Sequence, residues 1–343
     1  MAPPSRLGGF REGRGWGRIP PVLLHGGNMD TYYKYSSLMS VDFFENPTIK
    51  ISTPAHLNDP YECQPSSNIK QAMEVILNKP CPEHYIEAIS HMIQSNGIVS
   101  LSETQRNSLM WAHYGDHHKG MCIGFKPDFI KKTDVQLADD ESLFSDYCMS
   151  ILTPRKVNYD NYRFDINRKL SSDDIIPDAF LRHFLTKSDE WIYEKEHRCI
   201  LSYLHATHIL AKDLNEKIIV KSLGKHILIH AKKAISSLLE KKAITKTKKP
   251  NLYKINGNTV SLVMLSTLAE FPSISFLQEI DPNSITEIYF GCRAPKEKVK
   301  AIYTSIKNDR HPLKHVDLHY FSIGKERFEL TAKTLNDDYF NID

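Results

Sequence analysis

Hydrophobic and polar positions change their spacing several times along the chain, and each change marks a predicted element. Residues 83–95 carry apolar side chains at Ile86, Ile89 and Ile93, with Gly97 just beyond them. This spacing of three and four places the apolar residues on one face, so the segment is predicted to be an amphipathic helix.

Helical spacing of this kind and short β-prone runs predict the remaining elements. Short β-prone runs that predict strands are YYKYSSL, TIKIST, GIVSLSE, GMCIGF, RCILSY, KIIVKS, SITEIYFG and the pair HVDLHYFSI and RFELTAKTL. Predicted helices are 68–77, NSLMWAHYGD, 175–186, KHILIHAKKAISSLLEKKAI and APKEKVKAIYTSIKND, whereas VSLVMLSTLAEF suits either a helix or a strand. This order favours an α+β fold, a mostly antiparallel mixed sheet with flanking helices, over a regular βαβ winding.

The N-terminal stretch differs from the rest of the chain. Residues 1–28 are rich in Gly, Arg and Pro and lack periodicity. We interpret them as a disordered extension or a non-native start, with Met29 as the expected true start. Residues 29–343 are then predicted to form a single α+β domain.

Composition narrows the class of protein. Of the 343 residues, 41% are hydrophobic and 25% charged, with a net charge of +3, values typical of a soluble globular protein without a strong electrostatic preference for nucleic acid. The six cysteines include no CxxC pair, which argues against a zinc ribbon or a disulfide framework. No apolar run reaches the length of a membrane span and no signal peptide is evident, so we expect a cytoplasmic protein without membrane partners.

Two strand segments carry polar residues with a period of two. In the first of these segments, a strand would point Ser100 and Ser102 to the same face. In the second, a strand would point Glu194, Glu196 and Arg198 to the same face. Two like-charged carboxylates on one face require a cation, a metal or a substrate group nearby. One of them is therefore a candidate general base or a stabiliser of developing positive charge, and the alternative is an ion-pair ladder in which Arg198 neutralises Glu196.

Between the two predicted strands on either side of residue 110 lies a segment rich in aromatic and His residues. It offers groups for stacking and for acid/base chemistry, namely Trp111, His113, Tyr114, Asp116, His117 and His118. The adjacent histidines are poorly spaced for a shared metal, and the glycines form neither a GxGxxG motif nor a P-loop. Packing in the core is the alternative role for these aromatic residues.

The segment NDPYE, 58–62, predicts a turn, because Asn and Asp bond to nearby backbone and Pro fixes the bend. Its carboxylates Asp59 and Glu62 could instead bind a metal together with Glu194 or Glu196. This set defines an alternative function, a metal-dependent nuclease.

Several of these motifs occur together in a known order. YYKYSSL, LNDPYE, GIVSLSE, SLMWAHYGDHHKGMCIGF, WIYEKEHR and ITEIYFGCRAP resemble the bacterial domain-of-unknown-function 2971 family from about Tyr32 to Leu330. This resemblance implies a bacterial cytoplasmic protein and supplies no mechanism.

A weaker similarity does supply one. An aromatic and basic first strand with Lys34 and Tyr35, a Ser-x-Ser strand and a Glu-x-Glu strand are similar in order to the strands of ADP-ribosyltransferases. The similarity implies that NAD is held by the first two strands and that the last Glu of Glu-x-Glu stabilises the ribosyl cation. The implied catalytic residues are Glu196, assisted by Glu194, and the implied NAD-binding residues are Tyr35, Ser100, Ser102, Trp111, His113, Tyr114 and His117. The family's Arg or His on the first strand is absent here.

Three hypotheses therefore remain at the level of the sequence. The leading one is an enzyme that cleaves NAD or transfers ADP-ribose from it to a protein or nucleic acid, as a toxin or defence effector, without a metal. The second is the metal-dependent nuclease with Asp59, Glu62 and Glu194. The third is a non-enzymatic module that binds a small ligand or peptide in an aromatic pocket formed by Trp111, Tyr114 and His117.

Overall fold

The computed structural model describes residues 29–130, 150–165, 167, 175–222, 225–257 and 260–341. The predicted N-terminal extension, the Asp-rich stretch after residue 130, Cys148 and the residues just before the helix predicted at 175 lie outside these ranges. No helix in the described ranges is both long enough and apolar enough to cross a membrane.

The larger of the two main sheets has eight strands in the order β17-β16-β15-β4-β1-β3-β8-β5. Its strands are β1 (Tyr32–Ser36), β3 (Asn96–Ser102), β4 (Met121–Phe125), β5 (Ile151–Lys156), β8 (Glu196–Ser202), β15 (Ile285–Phe290), β16 (Asp317–Ile323) and β17 (Leu330–Thr334). All neighbours are antiparallel except β15 and β16, which are parallel.

The second main sheet has five strands in the order β12-β13-β9-β14-β2. They are β2 (Thr48–Ile51), β9 (His208–Ala211), β12 (Ile244–Lys246), β13 (Leu252–Ile255) and β14 (Ile274–Glu279). Two small two-stranded sheets complete the set: β6 (Asn158–Tyr159) with β7 (Thr186–Lys187), and β10 (Lys217–Ser222) with β11 (Lys225–His230).

The described helices flank the sheets. They are α1 (Val41–Glu45), α2 (Ile69–Leu77), α3 (Glu83–Ser95), α4 (Ser108–His113), α5 (Ile175–Phe184), α6 (Ala231–Glu240), α7 (Leu262–Ala269), α8 (Lys296–Ile306) and α9 (Asp338–Asn341). Within the described ranges, 3₁₀ helices also occur at Pro54–His56, Asp189–Glu194, Tyr203–His205 and Pro282–Ser284. The α+β class and the mostly antiparallel mixed sheet predicted from the sequence are confirmed.

The core explains why β3 and β8 carry so few exposed residues. Val99 and Leu201 pack into the largest hydrophobic cluster, whereas Ile98 and Ile200, on the opposite face, pack beneath α2, α3 and α5. Both strands are therefore covered on both faces, which makes their polar residues costly unless each finds a partner.

One predicted helix is partly wrong. The segment KHILIHAKKAISSLLEKKAI is a helix only over α6, because its first six residues form β11 and pair with β10 in an antiparallel hairpin. The ambiguous segment VSLVMLSTLAEF contains the helix α7.

Candidate active site

A fork in the sheets opens a cavity beside β3. At one end β3 pairs with β1 through Tyr33 and Ser102, and at the other end Ile98 forms a bridge with Ser52, just after β2. Alternate residues direct their backbone groups to the same side of a strand, so the Ser100 carbonyl faces the gap between β1 and β2. A cavity of about 260 Å³ lies at this fork.

We call this space the fork cavity. It is lined by residues from β1, β2, β3, α4 and the segment that leads into β8. Those that matter for chemistry are Lys34, Ser100, Ser102, Tyr114, Glu194 and Glu196.

One ammonium group holds three carboxylates at the wall of the fork cavity. Lys187 Nζ lies 3.0 Å from Glu62 Oε1, 2.5 Å from Glu194 Oε2 and 3.3 Å from Glu196 Oε2. All four residues are at most 7% exposed. A buried cluster of this kind is held in one arrangement, because each charge needs its partners to offset the loss of hydration.

Arg198 supplies the second positive charge of the cluster. Its Nε donates to Glu196 Oε1 at 2.8 Å and its Nη2 to Glu196 Oε2 at 2.8 Å, in a bidentate pair. Nη2 also bonds to Glu62, and Nη1 donates to the Phe184 carbonyl at 2.7 Å. The predicted ion pair of Arg198 with Glu196 is therefore present.

The two carboxylates of Glu-x-Glu differ electrostatically. Burial raises the pKa of Glu196, but Arg198 and Lys187 outweigh it and hold the pKa at about 2. For Glu194 burial dominates and raises the pKa, although Lys187 opposes this. The pKa of Lys187 is raised because the carboxylates of Glu196 and Glu62 outweigh the effect of burial.

Glu194 does not lie on a strand, contrary to the predicted period of two. It ends the 3₁₀ helix Asp189–Glu194, and Lys195, with φ of 46°, turns the chain into β8 at Glu196. The turn nevertheless returns Glu194 to the cluster, where the Ser102 hydroxyl donates to its carbonyl at 2.8 Å.

Tyr114 reaches this cluster from α4. Its hydroxyl donates to Glu194 Oε1 at 2.6 Å. Asn107 fixes the start of α4, since its side-chain oxygen accepts from the Leu109 amide at 2.9 Å while its amide donates to the Tyr193 carbonyl at 2.6 Å. The cap therefore joins α4 to the 3₁₀ helix that carries Glu194.

Two lysines from β1 and β2 also line the fork cavity. Lys34 Nζ donates to the Ser100 carbonyl at 2.7 Å, and Lys50 lines the same cavity from β2. Within the described part of the chain neither lysine forms an ion pair. Burial lowers the pKa of Lys34 to about 8, and the positive charge of Lys50 contributes.

The structure brings six of the nine candidate site residues to the fork cavity. Tyr35, Ser100, Ser102, Tyr114, Glu194 and Glu196 line it. Trp111 is fully buried in a small aromatic cluster and donates through Nε1 to the Gln105 carbonyl at 2.8 Å, so it is a core residue. His113 and His117 are exposed and do not line the fork cavity.

The carboxylates proposed as ligands in the metal-dependent nuclease hypothesis already have partners within the protein. Lys187 lies between Glu62 and Glu194, and Asp59 Oδ1 accepts from the Tyr61 amide at 2.9 Å, the bond expected for a turn. Across the described ranges no group of three or more His, Cys, Asp and Glu side chains could hold a metal ion.

Lys187 and Lys50 were missed by the sequence analysis. Lys187 lies in a short polar segment, TKSDEW, and no motif marks it. On a regular strand Lys34 would point away from Tyr33 and Tyr35, yet all three residues line the cavity. They do so because the cavity lies along the edge of β1, where side chains from both faces of the strand can contact it.

Comparison with known proteins identifies a family and supplies no mechanism. Residues 110–199, from α4 to β8, match the family described as "Protein of unknown function (DUF2971)", which confirms the predicted resemblance over these residues. No curated protein and no solved structure matches the chain significantly.

Proposed function

We propose that the fork cavity binds NAD⁺ and that the protein breaks the bond between nicotinamide and ribose. The observation that carries this proposal is the polarity of the cavity. The carboxylates Glu194 and Glu196 line it from the chain at the start of β8, and Lys34 and Lys50 line it from β1 and β2. NAD⁺ has the matching distribution, with a cationic nicotinamide ring at one end and a pyrophosphate beyond the ribose.

The acidic side suits the bond-breaking step. When the C–N glycosidic bond breaks, its electron pair goes to the nicotinamide nitrogen, and positive charge develops on the ribose. The three carboxylates of the cluster face two cations, Lys187 and Arg198, which leaves an excess of one negative charge. A fixed carboxylate beside the developing cation lowers the barrier. Water or another nucleophile then adds to the ribose.

The remaining hydrogen-bond capacity favours Glu194 as the carboxylate that contacts the ribose. Glu196 accepts from Arg198 at both oxygens, from Lys187 and from the Ser100 hydroxyl. A carboxylate has about four lone-pair sites, so little remains for a ligand. Glu194 accepts side-chain bonds only from Tyr114 and Lys187 within the described residues. This reverses the roles that the similarity to ADP-ribosyltransferases implies.

The basic side suits the phosphates. No carboxylate among the described residues lies within ion-pair distance of Lys34 to compete with a ligand, and a half-buried ammonium gains most from an anion because water screens the pair weakly. Lys34 and Lys50 then take the place of the Arg or His that ADP-ribosyltransferases carry on their first strand.

The acceptor and the setting are parts of the same proposal. The five described cysteines are free thiols, as a cytoplasmic protein would have. We propose a bacterial cytoplasmic enzyme that transfers ADP-ribose to water, to a protein or to nucleic acid, in the manner of a toxin or defence effector.

Nicotinamide release from NAD⁺ by the full chain tests this proposal. Glu194→Gln keeps the side-chain shape and should reduce release at least about 100-fold, the order found when one transition-state contact is removed. Glu297→Gln, an exposed change in α8, is the matched control and should retain full activity. The proposal fails if the wild-type protein neither binds NAD⁺ nor releases nicotinamide, or if Glu194→Gln is as active as the wild type.

A further inference from the structure

A second, larger cavity lies on the other side of the Lys187 cluster. It measures about 430 Å³, and Asn58, Glu62 and Lys187 line both it and the fork cavity. We call it the rear cavity. It is formed by the turn at 58–64, by residues 160–163 and by the segment from β7 to Trp191.

The rear cavity contains carboxylates that have no counter-ion. Asp59, Asp160 and Glu190 line it and form no ion pair with any described residue. Asp59 is only 5% exposed. One oxygen of Asp59 accepts from the Tyr61 amide, and one of Asp160 accepts from the Tyr162 amide. Each aspartate therefore keeps an oxygen for a ligand.

The positive groups of the rear cavity do not neutralise these carboxylates. Lys187 is already offset by Glu62, Glu194 and Glu196. Arg163 donates through Nη2 to the Gln64 carbonyl at 2.9 Å and lies over the Tyr61 ring at 5.9 Å.

His183 adds no charge at neutral pH. Burial lowers its pKa to about 4, its Nε2 accepts from the Ser66 amide at 3.2 Å, and its Nδ1 bonds to the Ala179 carbonyl at 2.7 Å. Counting all the charged residues of the lining, four carboxylates face two cations, so the rear cavity is acidic.

Aromatic rings form part of the wall. Trp191 is half-buried and Tyr61 is 65% exposed, and both line the cavity. Each already has a cation near its ring, Lys187 at 4.8 Å from Trp191 and Arg163 at 5.9 Å from Tyr61. Indole and phenol rings attract cations through their faces.

We propose that the rear cavity binds an arginine side chain of a partner polypeptide. The guanidinium group is planar, so it stacks on aromatic rings, and its fork of N–H donors matches carboxylates such as Asp59 and Asp160 better than a lysine ammonium does. This site is separate from the NAD⁺ proposal, since the residues that would bind the arginine, Asp59, Asp160, Glu190 and Trp191, do not line the fork cavity.

A matched pair of small ligands tests the proposal. The probes are the N-acetyl, N′-methylamide derivatives of arginine and of citrulline, a neutral isostere with the same shape. Binding to the full chain is measured by NMR titration, with the Trp191 indole resonance as the local reporter. The arginine probe should shift this resonance and bind about tenfold or more tightly than the citrulline probe, because hydrogen bonds to charged groups are the stronger ones.

Two variants separate this site from the fork cavity. Asp160→Asn keeps the turn geometry and should weaken the arginine probe about tenfold. Lys34→Met, in the fork cavity, should leave its affinity unchanged even if it abolishes NAD⁺ binding. Equal affinities for the two probes, no binding of either, or full affinity in Asp160→Asn would each overturn the proposal.

Discussion

Lys187, which lines both cavities, places its Nζ 2.5 Å from Oε2 of Glu194, a lining residue of the fork cavity. Lys187 is 7% exposed and Glu194 is 4% exposed, so the pair is held away from water. The same ammonium contacts Glu62 and Glu196. A single side chain thus pairs with three buried carboxylates.

Replacing Lys187 by Met should destabilise the protein strongly. The change removes the cation and leaves Glu62, Glu194 and Glu196 with Arg198 alone, so a buried negative charge remains without a partner. Removing one partner of a buried pair costs about 3–5 kcal/mol. Urea unfolding at pH 7 should show a loss of this size.

Lys70→Met is the matched control for that measurement. Lys70 lies 2.8 Å from Glu83, but both side chains are more than half exposed, so water screens the pair. Its unfolding midpoint should stay close to that of the wild type. Similar midpoints for Lys70→Met and Lys187→Met would mean that the buried cluster contributes no more than a surface ion pair.

The two Gln variants of Glu-x-Glu should separate stability from activity. Glu196→Gln breaks the bidentate pair with the fully buried Arg198 and should cost about 3 kcal/mol or more. Glu194→Gln leaves an amide that still accepts from either Tyr114 or Lys187, and it should cost about 1 kcal/mol.

Urea unfolding of both Gln variants, beside their rates of nicotinamide release, checks this division. Loss of activity in a stable Glu194→Gln protein would support contact with the substrate. If Glu194→Gln instead unfolds as readily as Glu196→Gln, Glu194 is primarily a structural member of the cluster.

Anion binding in the fork cavity should weaken as the pH rises through about 8. Burial lowers the pKa of Lys34 to about 8, so its ammonium is present below that pH and is lost above it. Calorimetric titration with pyrophosphate should show an affinity on the order of tenfold lower at pH 9.5 than at pH 7. Ionisation of pyrophosphate itself would act in the opposite direction.

Lys34→Met provides the control for this pH dependence. The variant should bind pyrophosphate weakly at pH 7 and should lose the step near pH 8. The effect of Lys34 on the free energy of unfolding has the opposite pH dependence. The unfolded chain holds the Lys34 proton up to its ordinary pKa of 10.5, so the contribution of Lys34 to folding improves from about pH 8 to 10.5. A pyrophosphate affinity with the same pH profile in Lys34→Met as in the wild type would exclude Lys34 as the anion contact.

The strands that carry the candidate site follow from local sequence patterns, and so do some of the partners. The Ser100 and Ser102 strand and the pairing of Glu196 with Arg198 were predicted from a period of two, which depends only on neighbouring residues. Strand β11 was mistaken for helix because its six residues run directly into α6. The signal for a hairpin was the pair of β-prone runs separated by only two residues, which form β10 and β11.

The fork and its central lysine depend on contacts that no local pattern contains. The fork exists because β3 pairs with Tyr33 at one end and with Ser52 at the other, positions 69 and 46 residues away from their partners Ser102 and Ile98. Lys187 meets Glu62 across the fold. Register between distant strands is set by the packing of the whole core. These pairs therefore cannot be predicted from local patterns in a single sequence.

Gly291 supports the turn that follows α4. Asp116, His117 and His118 have φ values of 48°, 53° and 68°, three consecutive residues in the left-handed region, where side chains are strained. The turn is held by the Arg293 amide, which donates to the His118 carbonyl at 2.9 Å. A Cβ on Gly291 would lie 2.1 Å from that same carbonyl oxygen.

Gly291→Ala should therefore destabilise the protein and disturb Tyr114, which lies just before the left-handed turn. The clash is with backbone, so it cannot be relieved by a side-chain rotation, and overpacking of this kind costs about 1–3 kcal/mol. Thermal unfolding should show a lower Tm than in Gly257→Ala, where a Cβ meets no atom within 4 Å. Because Tyr114 donates to Glu194, the variant should also release nicotinamide more slowly than the wild type at 25 °C. The loss should exceed what the fraction of unfolded protein accounts for. Equal Tm values for the two alanine variants would show that the turn adapts freely, and the strain at residues 116–118 would then have no part in placing Tyr114.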